Sequence, residues 1–385
     1  MTEEIGVGMV GHAFMGAVHS HAWRSVHRFF DVPLTPRLAV LGGRDAVRTQ
    51  EAATKYGWAA VETDWRALVA RDDVDLVDIC TPGDTHAEIA LAALAAGKHV
   101  LCEKPLANSV AEAEAMTAAA ADAARRGVRS MVAFNYRRVP AIALARRLVE
   151  EGRIGQVRHV RAVYLQDWLS DPESPMTWRL RREQAGSGAL GDLGAHIVDA
   201  AQYVTGDLIT GVSATTETFV HSRPDGDGRG EVTVDDAAVF LARFSSGALG
   251  TFEATRYALG RKNSMRLEVN GTRGSLAFDF ESMNELSVFS ADDGSAAGFR
   301  RILVTEADHP YVGVWWPPGH LIGYEHTFTH EAADFLTAIG GSPESPDGWD
   351  PAPSFADGLR VQRVLAAVEE SAARQSTWTT IGDLR

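Results

Sequence analysis

The sequence predicts an α/β chain: an N-terminal doubly wound parallel-sheet domain, then an α+β domain built on a large, mainly antiparallel, open-faced sheet. Three observations carry this prediction. Up to about residue 134, short apolar runs alternate with helical stretches, the pattern of repeated βαβ units. From Val157 onward, strand-like runs succeed one another through short turns, as antiparallel pairing requires. The length of 385 residues is enough for two domains with a core each. The expected domains are 1–135 and 136–385, with a terminal helix over 354–374 packing back toward the domain interface.

In the first half, Ile5–Val10 reads as a buried strand and Gly11 as the start of a tight turn. Gly11-His12-Ala13-Phe14-Met15-Gly16 fits the dinucleotide fingerprint G-x-G-x-x-G, with alanine at the second glycine. In that motif the first glycine permits the turn, the second lets backbone approach a pyrophosphate, and the third packs helix on sheet. Glycines also mark ordinary turns, so the motif alone is weak. A second strand, Arg37–Leu41, runs into Gly42-Gly43-Arg44-Asp45. The position that commonly holds a ribose-binding acid is glycine here. Arg44 suits adenine stacking or a 2′-phosphate, and Asp45 suits the ribose or a helix cap, so these residues leave NAD(H) and NADP(H) both open.

Helices are predicted over Thr49–Tyr56, Trp65–Ala70, Ala87–Ala96 and Val110–Arg125. The strands Val74–Cys80, Lys98–Cys102 and Ser130–Phe134 complete the alternation. Ligands collect beyond the carboxyl ends of such strands, where Arg44, Thr81, Lys104 and Asn135 lie. Together these strand ends point to a Rossmann dinucleotide platform more firmly than the imperfect fingerprint does.

The second half opens with a helix, Ala141–Glu150. Strands are expected over Val157–Gln166, Gly211–Val220, Val234–Phe244, Ala248–Tyr257, Ser264–Val269, Ser275–Phe280 and Glu285–Phe289, with turns at Ser245-Ser246-Gly247 and Asn270-Gly271. Arg223–Gly230 reads as an exposed flexible loop, and Gly340–Pro353 as a Pro/Gly/Ser loop. Pro310–Gly323, with Trp315 and Trp316, is an irregular aromatic segment that closes a pocket, makes a subunit contact or packs in the core.

The stretch Gly186–His196 is glycine-rich and leads into an amphipathic helix ending near Gly206. Asp192, His196, Asp199 and Tyr203 recur at helical spacing, so Asp192 and His196 present a carboxylate and an imidazole to one space. Such a pair can serve a reacting hydroxyl as acid and base. The plain alternative is a surface helix with solvated polar residues.

A net charge of −14 and no basic stripe disfavour nucleic acid. No apolar run approaches membrane-spanning length, and the acidic start Met1-Thr2-Glu3-Glu4 does not resemble a signal peptide. Cys80 and Cys102 form neither a metal motif nor a disulfide framework, and read as reduced core residues of a cytoplasmic protein. His19, His21 and His86 lack accompanying ligand spacing, so no metal is expected.

With these motifs in place, the chain resembles the Gfo/Idh/MocA oxidoreductases, named for glucose–fructose oxidoreductase and inositol dehydrogenase. The likeness covers essentially the whole chain. It is carried by Gly11 to Gly16 with His19, Thr81-Pro82 with His86, Glu103-Lys104-Pro105, Asn135-Tyr136-Arg137, and Gly191-Asp192 with His196. The resemblance implies an NAD(P)-dependent dehydrogenase acting on CH–OH groups, with NAD(H) favoured and NADP(H) still possible. By it, Lys104, Asp192 and His196 match the catalytic lysine, aspartate and histidine, and the peptide before the proline, here Pro105, is often cis in the family. The expected cofactor-binding residues are Gly11, Ala13, Phe14, Met15, Arg44, Asp45, Thr81, Pro82, His86, Glu103 and Lys104. A homodimer or homotetramer is implied, covering the open sheet face.

The stretch Tyr164–Trp168 through Trp178-Arg179 and Gly186–Asp192 resembles that of sugar dehydrogenases within the family. It implies a secondary hydroxyl of a sugar, anhydrosugar or cyclitol as substrate. Tyr136, Gln166, Trp168, Trp178 and Arg179 are substrate candidates beside Asp192 and His196, because polar forks next to aromatic rings suit hydroxyls and C–H faces. Core packing is the alternative for each tryptophan. In the expected reaction His196 is the general base, Asp192 orients, and the Lys104 ammonium stabilises alkoxide charge. The alternative for Lys104 is a solvated pair with Glu103. Rival readings are a redox-cycling glycosidase with bound NAD, a non-catalytic nucleotide-sensing regulator, and an imine- or diol-directed oxidoreductase.

Overall fold

The alternating runs of the first half become parallel strands in the computed structural model of the chain, which describes residues 3–341 and 353–382. They are β1 (Glu3–Val10), β2 (Leu34–Gly42), β3 (Ala60–Glu62), β4 (Leu76–Ile79), β5 (His99–Cys102) and β6 (Ser130–Val132). Their order is β3-β2-β1-β4-β5-β6, and every pairing is parallel. The crossovers are α1 (Phe14–Phe29), α2 (Ala46–Tyr56), α3 (Trp65–Val69), α4 (His86–Ala95) and α5 (Val110–Ala124). This order reverses at β1 and β4, which makes the carboxyl ends of those two strands the natural ligand crevice. All four residues of β4 are buried, as in a sheet covered on both faces. β3 was not anticipated: three half-buried residues are too few to show a period.

The second half starts with α6 (Pro140–Glu150), whose Pro140 occupies the first turn, where a missing N–H costs nothing. Two further helices, α7 (Arg182–Ala185) and α8 (Ala195–Thr205), follow β7 (Val157–Leu165). The later strands are β8 (Ile209–Glu217), β9 (Ser222–Asp225), β10 (Gly228–Glu231), β11 (Ala237–Phe244), β12 (Leu249–Thr255), β13 (Ser264–Gly271), β14 (Gly274–Asp279), β15 (Glu285–Ser290), β16 (Arg300–Leu303) and β17 (Thr379–Thr380). Nine of these strands form one sheet in the order β16-β15-β14-β13-β7-β12-β11-β8-β17. Only the β7–β12 pairing in it is parallel among the described residues. Helices α6 and α8 pack against this sheet. Alternate residues of β11 point away from the core, leaving Val239 (49%) and Leu241 (57%) exposed, with Leu249 of β12 beside them (49%).

Two loop expectations are corrected. Residues 223–230 are not an open loop but most of the β9–β10 hairpin, with Arg223 fully buried. The buried guanidinium, described below, supplies the order that a Gly/Asp/Pro composition did not suggest. The turn expected at Asn270-Gly271 lies two residues later, at Thr272-Arg273, because Asn270 still pairs with Ser275. Pro310–Gly323 is irregular apart from a 3₁₀ turn over Val312–Val314. Most of the expected loop over Gly340–Pro353 lies outside the described residues.

The chain divides into two compact units: Met1–Arg138 with Ile322–Leu359, and Val139–Leu321 with Arg360–Arg385. The expected boundary assigned residues 322–359 to the second domain, whereas the described ones among them, 322–341 and 353–359, join the first. The reason is α9 (Tyr324–Ile339), whose Phe328, Phe335 and Leu336 bury in one core with Trp23, Val26 and Leu101. Polar ties add to this, with Asn135 donating to the Thr327 hydroxyl at 3.0 Å and Arg138 to the Asp334 carboxylate at 2.9 Å. The expected terminal helix is α10 (Phe355–Ala373), which supplies residues to both units.

Candidate active site

The β1–α1 turn has the form a pyrophosphate needs. Gly11 has φ +102°, and a Cβ there would lie 2.5 Å from the Cys80 carbonyl oxygen. A Cβ on Gly16 would lie 2.3 Å from the Gly11 carbonyl oxygen, so the first and third fingerprint glycines are sterically required. Ala13 stands where the second glycine is usual, with φ −73°, so the alanine carries no backbone strain. No side chain caps α1 and no acid sits in its first turn, which suits an anion at the helix N-terminus. Phe14 is 63% exposed and lies parallel to the Tyr324 ring at 6.2 Å, while Met15 packs against the core.

At the end of β2, Asp45 caps α2, accepting the Val47 and Arg48 N–H groups at 3.1 Å each. Of the two roles open to it, helix capping is the one its geometry displays. Arg44 is exposed beside it. At the end of β4, Thr81 and Pro82 lead into a 3₁₀ turn. The His86 ring nitrogens lie 2.9 Å from the Thr81 carbonyl and 3.0 Å from the Pro105 carbonyl. His86 therefore bridges two strand ends through their backbone carbonyls.

Glu103, Lys104 and Pro105 follow β5, and the Lys104–Pro105 peptide is cis. Glu103 is 5% exposed, so a solvated Glu103–Lys104 pair is excluded. Its Oε1 lies 3.1 Å from His19 Nε2, and its Oε2 accepts the Lys104 backbone N–H at 3.0 Å. His19 Nδ1 faces both Asp78 oxygens, at 3.0 and 3.1 Å, and Trp23 Nε1 donates to Asp78 at 2.7 Å. Burial pushes the imidazole down, but the Asp78 carboxylate outweighs it and holds His19 well above its ordinary value. His19, Asp78 and Cys80 cluster as metal ligands can. Burial also pushes the Cys80 thiol far up. The cluster is a buried ion pair that holds the backbone bearing Lys104. Tyr136, a substrate candidate, is buried and edge-on to Tyr324 at 6.5 Å.

In the second unit the glycine-rich stretch is held from behind by Asp235. Its carboxylate accepts the Gly188 N–H at 2.6 Å and the Leu190 N–H at 2.8 Å. A Cβ on Gly188 would lie 1.7 Å from the Asp235 carbonyl oxygen, so glycine is imposed by that approach. Burial raises the Asp235 carboxyl, opposed by the Leu190 and Gly188 N–H bonds.

The expected continuous helix is corrected at its start: residues Leu190–Gly194 form a π-helical turn, and α8 begins at Ala195. Asp192 and His196 therefore straddle a helix junction rather than one regular α-turn. Such wide turns often mark functional sites. The solvated-helix alternative fails, because Asp199 (2%) and His196 (7%) are buried. The His196 ring meets Tyr164 edge-on at 5.9 Å. Asp192 accepts a bond from Arg256 Nη2 at 3.2 Å.

The substrate candidates join the same neighbourhood through shared partners. Trp168 Nε1 donates to Gln166 Oε1 at 2.9 Å, and Gln166 Nε2 donates to Asn263 Oδ1 at 2.7 Å. Asn263 Oδ1 also accepts the Tyr164 hydroxyl at 2.6 Å. The Arg256 guanidinium lies 5.4 Å from the Trp168 ring centroid, linking that ring to Asp192. Arg179 is half-buried over Trp178 at 4.4 Å and reaches this group through its carbonyl, 3.5 Å from Arg256 Nη1. Arg223 pins the excursion that carries these residues, donating to the carbonyls of Leu169 and Asp171 at 2.7 Å each.

Asp235, Arg256 and Asn263 escaped the sequence reading. A faint signal existed for Asp235, since Asp235-Asp236 interrupts an apolar run with two adjacent acids. Arg256 and Asn263 sit where a strand end and a turn ordinarily carry polar residues, which conceals them.

The comparisons with known proteins agree along the chain. A model of the oxidoreductase family with the NAD-binding Rossmann fold matches residues 5–134, and one of the GFO/IDH/MocA C-terminal domain matches residues 142–277. Levoglucosan dehydrogenase from Pseudarthrobacter phenanthrenivorans is 41% identical, with 98% of each chain covered. The crystal structure of an oxidoreductase domain protein from Kribbella flavida is 66% identical, with TM-score 0.95 and full coverage of both chains. A levoglucosan dehydrogenase structure in complex with NADH and levoglucosan is 42% identical, with TM-score 0.93 and full coverage of both chains.

Proposed function

Since the chain belongs to the Gfo/Idh/MocA family of NAD-binding oxidoreductases, we propose that it oxidises a secondary hydroxyl of a sugar, anhydrosugar or cyclitol. One observation carries the substrate class: a carboxylate, a half-exposed tryptophan and a glutamine joined around Asp192, Trp168 and Gln166. A ring of hydroxyls with an apolar face meets such a surface with both halves of its chemistry.

In the proposed reaction His196 takes the hydroxyl proton. Asp192, held by Arg256, accepts a hydrogen bond that fixes the reacting group. The Lys104 ammonium stabilises the charge that develops on the carbinol oxygen. Bound nicotinamide supplies the acceptor for the hydride leaving the carbinol carbon. Gly11, Ala13, Phe14 and Met15 at the β1–α1 turn, with Arg44, Thr81 and Pro82 at the neighbouring strand ends, hold that cofactor. NAD(H) is the preferred form, supported by the NADH-bound relative, and exposed Arg44 sets how far NADP(H) is accepted.

The protein acts as a homodimer or homotetramer in the cytoplasm. Its exposed Val239, Leu241 and Leu249 support a subunit contact on the open sheet face, and its cysteines are free thiols. No helix among the described residues is long and apolar enough to cross a membrane.

The test is the absorbance of reduced cofactor across a panel of hexoses, anhydrosugars and cyclitols, with NAD and NADP in parallel. Sustained reduction with at least one such polyol is expected. Failure of every polyol, with glycoside cleavage instead, would overturn the dehydrogenase reading.

A further inference from the structure

We infer that Arg256 is a positioning residue for the reaction, holding the Asp192 carboxylate in place and tying it to the glycine turn and to Trp168. The inference rests on the catalytic reading of Asp192 proposed above.

Four contacts converge on one guanidinium that is 1% exposed. Nη2 donates to the Gly188 carbonyl at 2.9 Å and to Asp192 Oδ2 at 3.2 Å. Nη1 reaches the Arg179 carbonyl at 3.5 Å, and the cation stands 5.4 Å from the centre of the Trp168 ring. Its backbone N–H donates to the Asp236 carbonyl at 3.1 Å, which anchors the residue just beyond β12.

A guanidinium is a rigid fork that stays charged, so it can bond a carbonyl and a carboxylate from one nitrogen while its face meets an aromatic ring. Asp192 lies in a π-helical turn, and its backbone bond to the Gly188 carbonyl does not by itself fix where the carboxylate points. An outside clamp is what such a carboxylate needs to keep one orientation. The clamp is also expensive, since a buried cation costs several kcal/mol unless it is well paired. Nothing in the sheet alone requires a cation there, because apolar residues fill the neighbouring inward positions, Ala254 and Phe252.

The test compares Arg256→Met and Arg256→Lys in the wild-type and Asp192→Asn backgrounds, measuring kcat and KM for sugar and the binding of NADH. Arg256→Met is expected to lower kcat by roughly 100-fold through misplacement of the carboxylate, with NADH binding retained. In the Asp192→Asn background the same change should cost less than about threefold, because residues acting as one unit are not additive. Arg256→Lys keeps the charge but not the fork, and should recover roughly tenfold of the loss. Equal losses in both backgrounds would mark a merely structural arginine and overturn the inference. If Arg256→Met does not fold, Arg256→Lys carries the comparison, and wild-type kcat in that variant overturns it. A crystal structure of the Arg256→Lys protein separates this inference from the functional reading. An unmoved Asp192 carboxylate overturns the clamp whatever the turnover. Absence of wild-type turnover with a displaced carboxylate counts against the dehydrogenase reading alone.

Discussion

The imidazole of His19 lies 3.0 Å from the carboxylate of Asp78, both out of solvent. With Glu103 on the opposite ring nitrogen at 3.1 Å, one cation serves two buried anions. Burial works against the charge and Asp78 for it, and the net result lies well above the ordinary imidazole value. A raised histidine contributes stability fully below its unfolded value, about 6.5, and loses that contribution as pH rises through the folded value. His19→Gln should therefore cost about 3–5 kcal/mol at neutral pH and below. The gap from wild type should narrow in the alkaline range. Denaturant melts at a series of pH values check this, and a gap constant with pH would count against it.

Glu331 on α9 shows the opposite linkage. Burial raises its carboxyl to about 8, against the pull of Arg138 and His19. Between the unfolded value near 4.5 and about 8, the unfolded chain gives up a proton that the native one keeps, so stability falls with rising pH. Glu331→Gln removes that dependence. It should match wild type in acid and exceed it by on the order of 4 kcal/mol near pH 8. Thermal melts of the two proteins across this window decide it, and parallel curves would refute the buried neutral acid.

Loss of either proposed reacting group should remove chemistry but not cofactor binding. Lys104→Met and His196→Ala are each expected to lower kcat by roughly 10²–10⁴-fold. NADH titrations should stay close to wild type. Near-wild-type turnover in either variant would remove that residue from the mechanism.

The glycine turn offers a steric test. Gly188→Ala places a methyl 1.7 Å from the Asp235 carbonyl oxygen, so backbone must move. A cost of about 3 kcal/mol or more and a large fall in turnover are expected. Asp235→Asn keeps the shape but faces an NH₂ group to a backbone donor, and should cost about 1–3 kcal/mol. Urea melts and initial rates of both variants measure this. A stable, active Gly188→Ala protein would show that the turn has another conformation open to it.

Much of this was readable from the residues. Parallel strands between helices show as apolar runs with a helical period in between, so β1, β2, β4, β5 and β6 were all found. Seven strands of the second sheet were found for the matching reason, alternation with one face buried, while β16, mostly exposed, carries no such alternation and was missed. Residues 324–339 carry no assignment although α9 lies there, and the other missed elements lack such a period. β3 and β17 are three and two residues long, and the order of the β9–β10 hairpin comes from Arg223, which makes its bonds 52 and 54 residues away in sequence. The same limit applies to the site. Asp192 and His196 announce themselves by spacing, whereas Arg256 reaches Asp192 across 64 residues and Asp235 reaches Gly188 across 47. Spacing codes for neighbours along a helix, and clamps of this kind come from the sheet beside it. The π-turn is a further case, since one residue of extra width leaves no trace in a 3.6 period.

The excursion after β7 and the β9–β10 hairpin fold around a small apolar cluster of their own, Leu169, Leu180, Val232 and Val234, fastened by Arg223. Mutational drift in the side chains displayed on that patch leaves the hydrophobic register of the large sheet untouched. On the function proposed above, the arrangement separates evolvability from foldability: recognition can diversify on a fastened appendage while the proposed acid–base residues stay where they are. A directed-evolution library for new sugar preferences belongs at Trp168, Trp178 and Arg179, with Arg223 held constant.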